Sequence, residues 1–390
     1  MDDYPLISAV IIHYNNGEYI FETISSILQQ DYPNIEILIS DDCSPKGFDV
    51  NRIIDFINEN RKDNIKRVVI NENKKNLGTV KNLEAIRKKE HGEYELLIAG
   101  DDVWHDEHVF SAFAERFDEL GPDAEWIISQ MEMRDEKLKT VQERFVKPEI
   151  IDMIQRKAYD ELLVQEVKSV CFPSAGTGLR RTFFEKVNHL GHDYDLIEDY
   201  PMQLRALRMG IPVYYLDIVS VMHRYGGISH GNQRNSSAAY ARYINDFVKI
   251  FENEIFQYEE RFPAEDIAHA RKRYEWYKKQ NEKMQCDPEF TQELKPTREK
   301  GRRIVEQVII QAKEKAKSLA MREKIKNNAK LLLKFLFCGV FLQLGEGVIV
   351  QQVLLTGVKV VCHILILIVC LRVGTYMLIV LFKIYRKWNG

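Results

Sequence analysis

The chain has no paired cysteines. Its six cysteines, Cys43, Cys171, Cys286, Cys338, Cys362 and Cys370, are scattered without any C-x-x-C spacing. That excludes a disulfide framework and a cysteine-held zinc, and it fits a reducing compartment. An excess of basic charge is also missing: the net charge is −3, which argues against a nucleic-acid partner, because such domains carry basic patches. No G-x-G-x-x-G follows the first apolar run and no G-x-x-x-x-G-K-[ST] occurs, which counts against a dinucleotide-binding enzyme and a P-loop protein. No internal repeat or low-complexity tract is present. The opening Met1-Asp2-Asp3-Tyr4-Pro5 is acidic, so no secretory leader is expected. What remains is globular. Hydrophobic residues make up 45% and charged residues 29% of 390 residues, enough for one large domain with appendages.

The most informative feature present is Ala99-Gly100-Asp101-Asp102, which closes the apolar run Leu96-Leu97-Ile98. Such a run reads as a buried strand, and two carboxylates at its exit must face water, a cation or a ligand rather than the core. A second acidic pair, Asp41-Asp42, closes the earlier run 35–40. Paired aspartates at the ends of two strands point to a site for a divalent metal, a nucleotide, or both, since α/β sheets bind ligands at their carboxyl edge.

The first hundred residues alternate strand and helix signals. Apolar runs at 7–12, 35–40, 68–70 and 96–99 alternate with helical spacing at 18–30, around Ile53, Ile54 and Ile57, and at 79–89. This predicts a doubly wound α/β fold with a mostly parallel sheet flanked by helices. Beyond Asp102 the expected elements are a helix at 109–120, a strand at 125–130, a polar loop or hairpin at 137–146, helices at 180–190 and 200–209, and a strand at 213–222. Residues 238–284 are charged, aromatic and helical in period, interrupted by Pro263, and are expected to pack beside the sheet as a second lobe. The division that follows is a sheet domain at 1–232, a helical extension at 233–300 and a tail at 301–390.

That tail changes character. Residues 304–330 form a basic amphipathic stretch, and 331–344 are apolar except for Lys334 and Gln343. Residues 361–382, about 22 in number, are long enough as a helix to cross a hydrocarbon layer. Basic flanks on both sides favour a two-span hairpin or helices lying in the interface over a single crossing. Lys334, Glu346, Lys359 and Arg372 weigh against a full span, since a charge at the bilayer centre costs ~2.5–3.5 kcal/mol. The alternative is an oligomerising helical core, which would make the protein a homo-oligomer.

Four landmarks occur in fixed order: Ile7-Ser8-Ala9-Val10-Ile11-Ile12-His13-Tyr14-Asn15, Ile39-Ser40-Asp41-Asp42-Cys43-Ser44, Leu77-Gly78-Thr79-Val80-Lys81-Asn82, and Asp101-Asp102. Together they resemble family-2 glycosyltransferases of the GT-A fold over roughly residues 5–230. The resemblance implies an inverting transferase of the kind that builds bacterial cell-surface polysaccharide, using a UDP-sugar donor and Mn²⁺ or Mg²⁺. His13 and Asn15 would then line the nucleotide. Asp42 would accept from a base N–H, while Asp41 caps the turn through an Asx bond or reaches the ribose. Gly78 would permit close backbone approach. Lys81 stands where the family has Arg, and is either a phosphate or base contact without Arg's planar fork or a solvated helix lysine.

Many family members read Asp-x-Asp-Asp where this chain has Ala99-Gly100-Asp101-Asp102. The resemblance assigns Asp101 to the ribose and Asp102 to the metal, with His223 as a further ligand or a structural histidine. Glu198-Asp199 precedes a helical segment and resembles the acidic pair whose second member is the general base. Its place at a helix N-terminus predicts a lowered pKa for Asp199, with Glu198 in support. Arg224, before Gly226-Gly227, would close over the diphosphate and stabilise its charge. Gln203 is followed by Leu204-Arg205-Ala206-Leu207 rather than the Q-x-x-R-W of polymerising members, so a single transfer is expected.

These features together predict transfer of one sugar to a glycan acceptor, such as one linked to a polyprenyl diphosphate, at the cytoplasmic face of the membrane. Two other readings stay open at this point: a nucleotide-sugar-binding scaffold without transfer, and a sugar nucleotidyltransferase. The latter would want a Gly-rich basic loop where His13-Tyr14-Asn15-Asn16 stands.

Overall fold

Four apolar runs become four parallel strands: β1 (Ile7–His13), β2 (Ile35–Asp41), β3 (Ile65–Glu72) and β4 (Tyr94–Ala99). β1 pairs with both β2 and β4, and β3 flanks β2. Every residue of β2 is buried, as expected of a parallel strand covered by helices on both faces. The connecting helices are α1 (Tyr19–Leu28), α2 (Val50–Asn60) and α3 (Thr79–Arg87). α2 starts at Asp49, whose side chain accepts from the Arg52 N–H, a standard N-cap. Ile53 and Ile57 face inward, while Ile54 is exposed.

The computed structural model describes residues 4–45, 48–187, 194–225 and 238–286. These belong to one unit, Met1–Thr297. The tail at 301–390, with its predicted membrane and oligomer segments, and the Gly226-Gly227 hinge lie outside the described residues. Among the described residues, no helix is long and apolar enough to cross a membrane.

After β4 come β5 (Val103–Trp104), α4 (Val109–Leu120), β6 (Trp126–Arg134), β7 (Val141–Arg144), α5 (Pro148–Gln155), α6 (Tyr159–Lys168), β8 (Thr177–Arg180), α7 (Arg181–Lys186), α8 (Asp199–Arg208) and β9 (Val213–Arg224). The sheet order is β3-β2-β1-β4-β8-β6-β9-β5, with β7 on β6. The expected parallel sheet holds across β3-β2-β1-β4. Beyond β4 the sheet is mixed, because β8 runs antiparallel to both neighbours and only β6–β9 is parallel. The polar stretch around residue 140 is a β6–β7 hairpin.

Two cores lie on opposite faces of the sheet. Alternate residues sort between them: Ala9, Ile11, Ile37 and Ile39 face α1, α2 and α4, whereas Val10 and Leu38 face the other side. That second core continues through Trp126, Phe172, Leu204 and Tyr200 into the helical extension, α9 (Ala238–Ile250) and α10 (Ala264–Cys286). Phe247 stacks on Tyr277 with ring centroids 4.5 Å apart and meets Tyr200 at 6.1 Å. The described helices of the extension therefore share one core with the sheet and form no second lobe, because their aromatic faces are turned onto α6 and α8.

Candidate active site

β1 stands between β2 and β4, so successive connections leave it in opposite directions and a crevice opens at the strands' carboxyl ends. His13 ends β1 and is buried. Its Nδ1 lies 2.9 Å from Asp41 Oδ1, and its ring packs so near Gly100 that a Cβ there would fall 2.9 Å from the imidazole. The Asp41 carboxylate also accepts from the Ser44 N–H at 2.9 Å and from its hydroxyl. Burial pushes the Asp41 carboxyl up, but the hydrogen bonds from His13 and Ser44 outweigh it and hold the group below the usual range. Asp41 thus closes the loop as an Asx turn. Asn15, with φ of 56°, donates its N–H to the Ser44 hydroxyl at 2.8 Å and shapes the same loop.

Asp42 reaches across to the start of α3. Its carboxylate accepts from the Leu77 N–H at 2.7 Å and the Gly78 N–H at 2.8 Å, with Asn73 Nδ2 at 3.1 Å. Asn82 buttresses this arrangement, because Asn73 donates to its side-chain oxygen at 2.7 Å and Ser40 at 2.6 Å. The Asp42 carboxylate is committed to the protein's own backbone, so a base N–H would have to share it. Lys81, one residue before Asn82, is exposed.

Gly78 has φ of +89°, and a Cβ on it would stand 2.5 Å from the Asp195 carbonyl oxygen. Gly78→Ala should therefore lower stability by roughly 2–3 kcal/mol, since strain and overpacking act together. Urea unfolding would measure it, and a loss below about 0.5 kcal/mol would contradict this geometry.

Asp101 and Asp102 follow β4. Asp102 is buried, with Oδ2 2.8 Å from His223 Nδ1 and Oδ1 accepting from the Arg224 N–H at 2.9 Å. Burial and then the charge of Asp102 push the Asp101 carboxyl up to about 7. Burial works against a charged His223, yet the two aspartates raise its pKa above the ordinary value. Arg224 is buried at the end of β9. Its guanidinium donates to the Asp101 carbonyl at 2.9 Å, to Glu22 at 2.9 Å and to the Glu136 carbonyl, and lies 4.0 Å from the centroid of Tyr19. These partners make it a brace for the Asp101-Asp102 turn.

Glu198 and Asp199 open α8. Glu198 accepts from the Ser174 hydroxyl at 2.8 Å, and Asp199 accepts from the Tyr200 N–H at 2.7 Å. Burial, then the charge of Asp199, pushes Glu198 up to about 7. Burial raises Asp199 as well. The helix-terminus argument predicted a lowered Asp199. That expectation fails because loss of water disfavours the charge more than the first-turn N–H groups favour it.

A circuit of contacts joins the acidic pairs. Asp42 donates its N–H to the His13 carbonyl at 2.9 Å, and His13 packs on Gly100 beside Asp101. Asp102 holds His223 on β9. On that strand Ser220 bonds Ser129, whose hydroxyl donates to the Gly176 carbonyl at 2.8 Å. The loop of Gly176 carries Ser174, the partner of Glu198. Asp195, just ahead of Glu198, returns to Gly78 and Asp42. Asp195, Arg242 and Asp246 are neighbours of the acidic pairs that motif reading passed over, since none lies in a recognisable spacing.

Residues 8–187 match the family described as glycosyl transferase family 2. Over 98 residues the chain is 38% identical to the glycosyltransferase GlyG of Streptococcus pneumoniae, covering 25% of this chain and 31% of that one. Over 103 residues it is 34% identical to an uncharacterized glycosyltransferase of Haemophilus influenzae, covering 26% and 30%. The chain spans about a third of the length of these curated relatives. Among solved structures, it is similar to Staphylococcus aureus TarS 1-349 in complex with UDP-GlcNAc, with a TM-score of 0.46 and 17% identity over 64% of this chain and 67% of that one. The mannosyltransferase PcManGT of Pyrobaculum calidifontis, in complex with GDP-Man and Mn2+, gives a TM-score of 0.45 and 17% identity over 64% of each chain. Over residues 8–187, just under half of its length, this chain is similar to glycosyl transferase family 2.

Proposed function

We propose that the protein is an inverting glycosyltransferase that moves one sugar from a UDP-sugar to a glycan acceptor, with Asp199 as general base. The observation that carries this reading is the contact circuit around the sheet's carboxyl edge, which links Asp42 and Asp102, inside the family-2 match at 8–187, to Glu198 next to Asp199. Asp199 would take the proton from the acceptor hydroxyl as that oxygen bonds to the anomeric carbon. The bond from that carbon to the diphosphate breaks at the same time, its electron pair leaving with UDP, and the configuration inverts. A carboxylate raised by burial suits this work, because a base is most effective with a pKa near the working pH. Ser174 holds Glu198 beside it, and Arg224 braces the turn that carries Asp101 and Asp102.

The Asp101 and Asp102 carboxylates would be the protein's donors to Mn²⁺ or Mg²⁺, with His223 held against Asp102 through its Nδ1. Hard carboxylate oxygens suit both ions. Among the described residues no three His, Cys, Asp or Glu side chains are grouped to hold a metal, so diphosphate oxygens and water would complete the shell. The ion would stabilise charge on the departing diphosphate.

The basic and apolar tail supports a membrane surface at the cytoplasmic face as the working place and a lipid-linked acceptor, such as a polyprenyl-diphosphate glycan. The test is a panel of UDP-sugars with Mn²⁺, read first by the rise in melting temperature and then by UDP release with lipid-linked acceptor in vesicles. A matched donor should raise the melting temperature and give UDP release that depends on acceptor. Release from no common UDP-sugar, with or without acceptor, would overturn the reading.

A further inference from the structure

One carboxylate holds three consecutive backbone N–H groups just ahead of the Glu198-Asp199 pair. Asp246, wholly buried on α9, accepts through Oδ2 from Asp195 N at 2.9 Å, Leu196 N at 2.6 Å and Ile197 N at 3.2 Å. Successive N–H groups turned to one point form an anion-binding concavity, and here the anion is supplied by the helical extension. One turn earlier on α9, Arg242 forks onto the Asp195 carboxylate, with Nη2 to Oδ1 at 2.7 Å, and reaches Asn76 Oδ1 at 2.8 Å.

The same loop bears on the other side of the crevice. The Asp195 carbonyl accepts from the Val80 N–H at 3.2 Å, and Asp195 with Arg242 occupies the space where a Cβ on Gly78 would stand. The Leu77 and Gly78 amides are those that bind Asp42. A single α9 turn therefore grips the segment leading into the acidic pair and, through it, the loop that fixes Asp42.

We propose that Asp246 and Arg242 are positioning residues, a clasp by which α9 sets Glu198 and Asp199 against the Asp42–Gly78 loop. The extension is then a working part of the transfer site. This inference rests on the glycosyltransferase reading only for its kinetic consequence. Its structural half, that α9 ties the two loops together, is independent of it.

The experiment uses the full chain with Asp246→Ala, Asp246→Asn and Arg242→Gln, read by initial rates of UDP release and by amide hydrogen exchange. Asp246→Ala leaves three N–H groups without an acceptor, so Asp199 should shift and kcat should fall about 100-fold, as expected of a displacement near 1 Å, while donor KM stays within about threefold. Asp246→Asn keeps an acceptor oxygen and should recover kcat to within about fivefold of wild type. Arg242→Gln should raise donor KM about five- to tenfold by loosening the Leu77–Gly78 amides around Asp42. Exchange should quicken at 195–197 in Asp246→Ala and at 77–78 in Arg242→Gln, with the core strands unchanged.

The proposal is overturned if folded Asp246→Ala keeps kcat within about threefold and its 195–197 amides stay protected. It is equally overturned if Asp246→Asn loses as much as Asp246→Ala. Should the alanine variant fail to fold, Arg242→Gln decides: unchanged exchange at 77–78 with unchanged kinetics rejects the clasp. If wild type transfers no sugar, the function reading fails instead, and the exchange data still decide whether α9 ties the loops.

Discussion

Asp199→Asn should abolish transfer while leaving donor binding nearly intact. Asparagine keeps the oxygen that accepts from the Tyr200 N–H, so the start of α8 keeps its shape. It has no carboxylate to take a proton, and removing a general base costs about 10²–10⁴-fold in rate. The measurement is kcat for UDP release beside thermal stabilisation by the donor. A scaffold that merely holds nucleotide sugar would keep its cellular role in this variant, whereas an enzyme would lose it. Residual kcat within about tenfold of wild type would remove Asp199 from the reaction.

The pH dependence follows from the same carboxyl. Burial raises the Asp199 pKa, and only the ionised form can accept a proton. Wild-type kcat should therefore climb with pH through that raised pKa and level off above it. Glu198 is pushed up to about 7 by burial and the neighbouring charge. The pair titrates as a unit, so the acid limb reports both groups rather than one residue. A rate that falls as pH rises from 5 to 8 would contradict this assignment.

The first half of the fold was legible because its signals are local. The runs at Ile7, Ile35 and Leu96 became strands bounded almost as the pattern implied, and the helix at Val109–Leu120 matches its predicted span. β8 was not legible. Thr177-Gly178-Leu179-Arg180 is four residues long and contains a glycine that packs against Phe113, and nothing in that pattern alternates. The segment after it read as one long helix, whereas the strand takes Arg180 and the helix is short. Nor did periodicity reveal that α9 and α10 complete the sheet's second core, since that depends on which aromatics meet across long separations. At the site, the acidic pairs stood out because carboxylates at the ends of buried strands need a reason. Their partners did not: Asp246 acts on backbone N–H groups and Arg242 on the Asp195 and Asn76 side chains, all far away in sequence, and the brace from Arg224 to Tyr19, Glu22 and Asp101 is wholly tertiary.

Glu166 yields the largest expected effect on stability. It is fully buried on α6, with Oε2 accepting from the Cys171 N–H at 2.7 Å and Oε1 without a partner among the described residues. Burial, with a smaller contribution from the Asp199 charge, pushes its carboxyl from the ordinary 4.5 up to about 8. The folded protein thus retains a proton that the unfolded chain has already released. Stability from this group is fully present below pH 4.5 and is lost as pH rises through 8. Across that window the loss should approach roughly 5 kcal/mol, at about 1.4 kcal/mol per unit. Glu166→Gln has no proton to lose and keeps an oxygen for the Cys171 N–H, so its stability should stay nearly level. Urea unfolding at pH 5, 7 and 9 should show the two proteins converging in acid and the glutamine variant ahead in base. Parallel curves would mean that Glu166 is already ionised in the fold. A neutral Glu166 at working pH also has a consequence for the chemistry. The Tyr200 hydroxyl donates to the Glu166 carbonyl at 2.9 Å, so this acid lies under the start of α8. If it carried charge there, it would oppose the ionisation that Asp199 needs in order to act as a base.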